Sequence, residues 1–333
     1  MNQLQMNQAQ PAAVAVPGTT LHYMPVGLFS AVMGGTGLSL AWRLAASEFG
    51  APAWIGNTLA MAALLAFVVV GTGYAVKALR GFDAVRREFA HPVASNMFGT
   101  PLIALLLLPM LLAPLHLAAA RALWVAGAIG MGVFSVSIAS RWLSEKQVVI
   151  TPALLIPVVG LLDVPLALPA LGWQSLHGVM VFSLAVGLVF ALPLLGMVLT
   201  RLMREEALPA PLQPTLLLLS APFSVGFSAY TATTGHIDLF AEGLVMVMFF
   251  ALAIVAGRLR ALVAGHPFRL SWWAASFPLA AATLAALRYA GHARHVVADG
   301  LALVLLATTT VCIAVFAART LHAVVKGELQ TLT

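Results

Sequence analysis

Ten apolar runs, separated by segments that hold most of the charge, are what this chain has to accommodate. They cover residues 24–42, 54–77, 92–113, 119–141, 149–169, 176–200, 214–235, 239–261, 271–289 and 297–319. Each is close to the roughly 20 residues that carry a helix across a hydrocarbon core. Charged residues make up 8% of the chain and hydrophobic residues 61%, whereas a soluble domain has roughly 25% charged residues. So few charges cannot clothe a water-soluble fold of this length, and the sequence reads as an all-α polytopic membrane protein. The fifth run holds Pro152, Pro157, Pro165 and Pro169 as well as Asp163, and is expected to be short or broken.

The basic residues set an orientation. Thirteen of the 17 fall at the ends of even-numbered runs, in the segments after them or in the C-terminal tail, and only Arg43, Arg121, Arg288 and Arg294 fall on the other side. The positive-inside rule then places both termini in the cytoplasm. The net charge of +6 is a topology signal of this kind and implies no nucleic-acid partner. Residues 1–21 lack the charged region and apolar core of a signal peptide and are expected to form a disordered tail. Residues 22–327 form the membrane domain, with 328–333 as a C-terminal tail.

Prolines supply an internal repeat. Pro25, Pro92, Pro152, Pro214 and Pro278 recur at spacings of 67, 60, 62 and 64, each in an odd-numbered run. Five helical hairpins around an axis fit this spacing, with the odd helices inward. The even runs are plainer: Leu59–Val76 and Leu301–Ala318, for example, contain no proline, and straight apolar helices of this kind suit a lipid-facing layer. The ninth run, SWWAASFPLAAATLAALRY, places Phe277 directly before Pro278. Proline donates no backbone hydrogen bond and crowds the carbonyl four residues back, so a helix kink is expected at Pro278. Backbone left free in this way is tolerated where it is buried in protein or lines a cavity.

Catalytic chemistry is not evident. The nine histidines lie in loops or near run ends, none in a HExxH-type pair, and His292 with His295 reads as a surface feature. Cys312 is the single cysteine. No enzyme activity, metal site or cofactor is expected. Asp163 and Arg288 are placed toward the ends of their runs, where they can snorkel, leaving no carboxylate at the centre of a span. The odd runs instead offer small and hydroxyl residues: Gly27, Ser30, Ser39, Ser95, Asn96, Ser224, Ser228 and Ser276. These are the pore-lining candidates of a neutral, weakly polar conduit for small anions, although a serine in a helix commonly bonds its own backbone.

Four segments in order carry a family resemblance: YMPVGLFSAVMGGTGLSLAW (23–42), EFAHPVASNMFGTP (88–101), APFSVGFSAY (221–230) and WWAASFP (272–278). Together they resemble the TehA-type tellurite-resistance/C4-dicarboxylate transporter family, which includes plant slow anion channels and yeast malate and sulfite transporters. The resemblance implies ten transmembrane helices arranged as five helical hairpins in a quasi-fivefold ring around a central pore. It implies a homotrimer in a bacterial-type inner membrane, and a gate at Phe277. Where family members often carry a basic residue after HPV, this chain has Ala94. Two functions follow as expectations: a gated anion channel, favoured by the absence of a central carboxylate, or a proton-coupled carrier of small oxyanions or dicarboxylates.

Overall fold

The computed structural model describes residues 24–144, 148–265 and 268–332; the expected N-terminal tail lies outside them. Among the described residues all regular structure is helical. The elements are α1 (Phe29–Phe49), α2 (Ala53–Arg80), α3 (Phe82–Ala90), α4 (Ala94–Leu112), α5 (Leu117–Ser144), α6 (Pro152–Leu171), α7 (His177–Arg204), α8 (Ala210–Thr234), α9 (Leu239–Gly265), α10 (Leu270–Ala293) and α11 (Val296–Lys326). Nine helices among the described residues are long and apolar enough to cross a membrane. The 21-residue α1, at the first expected span, falls outside those nine. Its glycines, hydroxyls and Arg43 dilute its apolar character.

Burial divides the helices into two layers. In α4, α6, α8 and α10, between 61% and 83% of the apolar window is buried, against 17% to 33% in α2, α5, α7, α9 and α11. Helix α1 joins the inner layer, with Val32, Leu38 and Ala41 fully covered. Each inner helix packs on the outer helix that follows it, and the inner helices also touch one another in a closed order: α1 on α4, α4 on α6, α6 on α8, α8 on α10, and α10 back on α1. The outer helices expose large apolar side chains such as Val68, Ile129, Phe182, Phe250 and Val304, the composition of a surface that meets lipid.

The layers also differ in backbone. Each outer helix is a single α-helix of 27 to 31 residues. The inner ones are interrupted. Helix α1 is preceded by a 3₁₀ turn at Val26–Leu28, α8 opens with 3₁₀ helix over Ala210–Ser220, and α10 opens with 3₁₀ helix over Leu270–Ala275. The expected broken helix is α6, which alternates 3₁₀ and α segments from Pro152 to Leu171. Side chains reach carbonyls along these irregular stretches. Ser135 Oγ donates to Pro157 O (2.6 Å), Trp124 Nε1 to Val164 O (3.0 Å) and Thr100 Oγ1 to Val26 O (3.2 Å). Irregular backbone is thus kept under the outer layer and partly satisfied by protein donors.

The short helix α3 lies in what the sequence presents as a basic loop. Asp83, Arg86 and Arg87 share it with Phe82 and Phe89, both of which are exposed, a pattern suited to the membrane interface. Its Glu88 turns inward. Glu88 Oε2 pairs with Lys77 Nζ at 2.6 Å and accepts from Tyr74 Oη at 3.1 Å, while Glu88 Oε1 accepts from Val26 N at 2.7 Å. Lys77, expected as a loop charge, is therefore buried and also donates to Met24 O at 2.8 Å.

Candidate functional site

Two cavities lie on the axis enclosed by α1, α4, α6, α8 and α10, and each is lined by all five helices. The first is near the starts of these helices, on the side of the basic segments, and the second is toward their far ends. Phe277 is the residue common to both linings. It is buried, at 5% relative exposure, and its side chain borders both spaces.

The linings repeat along each helix. Ser30 and Met33 of α1 border the near cavity, and Gly37 and Leu40 border the far one. On α4 the pairs are Thr100, Ile103 and Leu107, Met110; on α6, Ile156, Val159 and Asp163, Leu166; on α8, Leu218, Ala221 and Val225, Ser228; on α10, Ala274, Phe277 and Ala281, Leu284. Every far position named here follows a near one by seven residues. A seven-residue repeat keeps one stripe of a helix facing a common axis.

The expected pore residues distribute unevenly on this frame. Ser30 and Ser228 face the cavities, and the hydroxyl of Ser228 donates to Ser224 O at 3.1 Å. Ser95 and Ser224 are buried and bond their own helix neighbourhoods, at Pro92 O (3.3 Å) and Ser220 O (3.2 Å). Asn96 Nδ2 donates to Pro92 O at 3.2 Å, and Gly27 is half-buried beside Met97. Ser276 turns toward α1, where its hydroxyl donates to Ser30 O at 2.9 Å. Ser39 ties α1 to α2 through Gly56 O at 2.7 Å. Of these six serines, two line the cavities, two bond locally and two join neighbouring helices.

Pro278 borders the near cavity. It lies in the first turn of the α-helical part of α10, which begins at Ser276 after the 3₁₀ stretch. In a first turn the missing proline N–H costs no bond. The irregularity expected as a kink at Pro278 takes the form of a change in helix type just before Phe277.

Two charged residues differ from their expected positions. Asp163 does not snorkel. It is fully buried, borders the far cavity, and neither carboxylate oxygen has a hydrogen-bond partner among the described residues. The physical reason is its register: it follows Ile156 by seven residues and inherits that position's view of the axis. The far cavity therefore has an ionisable residue in its lining. Arg288 is partly buried and donates from Nη1 to Thr231 Oγ1 at 3.1 Å, bridging α10 to α8. Among the described residues no group of three or more His, Cys, Asp or Glu is placed to hold a metal ion.

Sequence comparison supplies the relationship. The chain is 29% identical over 319 residues to the S-type anion channel SLAH3 of Arabidopsis thaliana, covering 92% of this chain and 49% of that protein. It is 27% identical to the guard cell S-type anion channel SLAC1 of the same plant, over 90% of this chain and 56% of the relative. The chain thus spans about half the length of these plant relatives. With the tellurite resistance protein TehA homolog of Haemophilus influenzae it shares 26% identity over 92% of both chains. Residues 23–321, which contain all five inner helices and the Phe277 that lines both cavities, match the SLAC1 voltage-dependent anion channel family, and the chain belongs to that family.

Proposed function

We propose that this protein is a gated channel that passes small anions along the axis of its five inner helices, with the ring of Phe277 occluding the path. The observation that carries this reading is the sharing of Phe277 by the linings of both cavities. A neutral aromatic ring offers an anion no strong hydrogen-bond donor, and its face carries negative quadrupole density. An ion at that level loses hydration without replacement. The ten-span, quasi-fivefold arrangement of hairpins and assembly as a homotrimer in a bacterial-type inner membrane belong to the same proposal. Both termini are cytoplasmic in it, following the 13-to-4 basic bias. Cysteines placed at the exposed positions Asp83 and Glu205 in a Cys312→Ala background then react from the cytoplasmic side, and external labelling inverts the orientation.

Asp163 favours a second reading, a proton-coupled carrier of small oxyanions or dicarboxylates. A buried carboxyl on the path is the kind of group that relays protons, and its presence removes the ground on which the sequence preferred a channel. Reversal potentials in planar bilayers separate the two. A channel follows the anion gradient alone and excludes cations, whereas a carrier responds to an imposed proton gradient. Cation selectivity overturns both.

A further inference from the structure

Asp163 is the one ionisable residue in the lining of either cavity. Around it the far cavity is walled by apolar side chains and Ser228, whose hydroxyl is committed to Ser224 O. Among the described residues no cation bonds either of its oxygens. Helix α4 has no ionisable side chain. Arg121 of α5 is held by Leu171 O at 2.9 and 3.2 Å, and α7 carries ionisable groups only at its two ends. Tyr230 of α8 bonds Asp238. Across the axis, Arg288 of α10 is held by Thr231; the stem of Arg43 on α1 lies against Gly56 of α2, and its Nε is buried with no hydrogen-bond partner among the described residues.

An ionised carboxylate with no partner in such surroundings is expensive, whereas a neutral carboxylic acid carries an O–H that can be donated. An anion leaving water needs donors in place of its hydration shell, and the cavity wall offers no other uncommitted acidic donor. We propose that Asp163, in its neutral form, binds the permeating anion by donating its O–H in the far cavity. The proton stays on the residue; ionisation replaces the donor with a like charge and blocks that step. Arg288, seven residues beyond Ala281 and four beyond Leu284 on the same helix face, is the cation an anion meets on the way in. This deepens the channel reading and rests on it. The ligand class is a small hydrogen-bond-accepting anion, with chloride as the probe.

The test uses the full chain in planar bilayers with Phe277→Ala, so that the ring does not limit the current. Chloride conductance is expected to fall at least about tenfold as the far-side pH is raised to ionise Asp163, the equivalent of about 1.4 kcal/mol on the barrier. Adding Asp163→Asn, a neutral donor at every pH, should hold the conductance up and flatten the profile. Adding Asp163→Leu should keep it low throughout. An Asn variant with the parental pH profile, or a Leu variant that conducts like the parent at low pH, overturns the proposal. Infrared difference spectra of the liposome-reconstituted wild type give a readout independent of conduction. The C=O stretch of a protonated carboxyl, absent from Asp163→Asn, should shift when chloride is added. If no variant carries current, the channel reading fails, and the infrared signal still decides the assignment: a missing band, or one indifferent to chloride, refutes it.

Discussion

The hydroxyl of Ser276 donates to the carbonyl of Ser30, 2.9 Å away and 246 positions earlier in the chain. It is shared with Trp273 O at 2.7 Å, so one proton ties the start of the α-helical part of α10 both to the preceding 3₁₀ turn and to α1. This seam closes the inner layer between its first and last helices, and Phe277 is the next residue along. Its closeness depends on two glycines. A Cβ at Gly34 would lie 2.2 Å from Ser276 Oγ and 2.5 Å from its Cβ, and one at Gly37 would lie 2.8 Å from Ala280 Cβ.

Gly34→Ala is therefore expected to force the seam apart. Overpacking of this kind costs about 1–3 kcal/mol, and thermal melting of the purified protein in detergent reads it. The same variant should leak anions, because Phe277 moves with Ser276. An unchanged melting temperature would show that the seam yields freely.

Phe277→Ala is expected to raise anion conductance at least about tenfold, equivalent to roughly 1.4 kcal/mol off the barrier. The ring borders space on two sides, so the stability loss should stay below the roughly 3–5 kcal/mol of a core Phe→Ala change. Currents and melting measured on one preparation separate a gate from a packing residue. A destabilised and silent variant would mark Phe277 as packing.

Lys77→Met leaves Glu88 with Tyr74 and the amide of Val26 but no cation. Removing one partner of a buried pair typically costs about 3–5 kcal/mol. Much of that loss should return in Lys77→Met/Glu88→Gln, where no charge is stranded. A double mutant no more stable than the single one would argue against charge as the cause.

Asp238 caps α9. Its Oδ1 accepts from the amides of Phe240 (3.1 Å) and Ala241 (3.0 Å), and its Oδ2 from Tyr230 Oη. The tyrosine hydrogen bond, with help from these amides, holds the Asp238 carboxyl below its usual value of 3.8. A carboxyl lowered on folding stabilises fully above the unfolded value, and the gain is lost as pH falls through the folded value. Amide exchange at Phe240 and Ala241 should thus be protected near neutral pH and lose protection only below about pH 3.8. Asp238→Ala should abolish the protection at every pH, and protection that survives this change would assign the cap elsewhere.

Nine of the ten expected spans were legible in the sequence because apolar length and flanking charge mark them, and the two layers because proline collects in alternate runs. The depth of Asp163 was not. It sits six residues from the end of the run as read, but α6 continues to Leu171 and includes 3₁₀ helix over Val164–Ala167. With rises of about 2.0 Å per residue in 3₁₀ helix and 1.5 Å in α-helix, Asp163 lies about 14 Å from the helix end. Nor does composition reveal rotation: Ser224 and Ser228 look equivalent in sequence, yet only Ser228 falls on the seven-residue stripe. Extending that stripe from Ile156 was the available signal for Asp163. The pairing of Lys77 with Glu88 carried none, since both look like ordinary loop charges.

The seven-residue register constrains which length changes an inner helix can absorb. One inserted residue turns everything beyond it by about 100°, so an insertion between Phe277 and Leu284 swings Leu284 and Arg288 off the axis. Seven inserted residues return the stripe to within about 20° and add about two turns. Insertions and deletions among descendants of this chain should therefore collect in the connecting segments, and enter the five inner helices only in steps of about two turns.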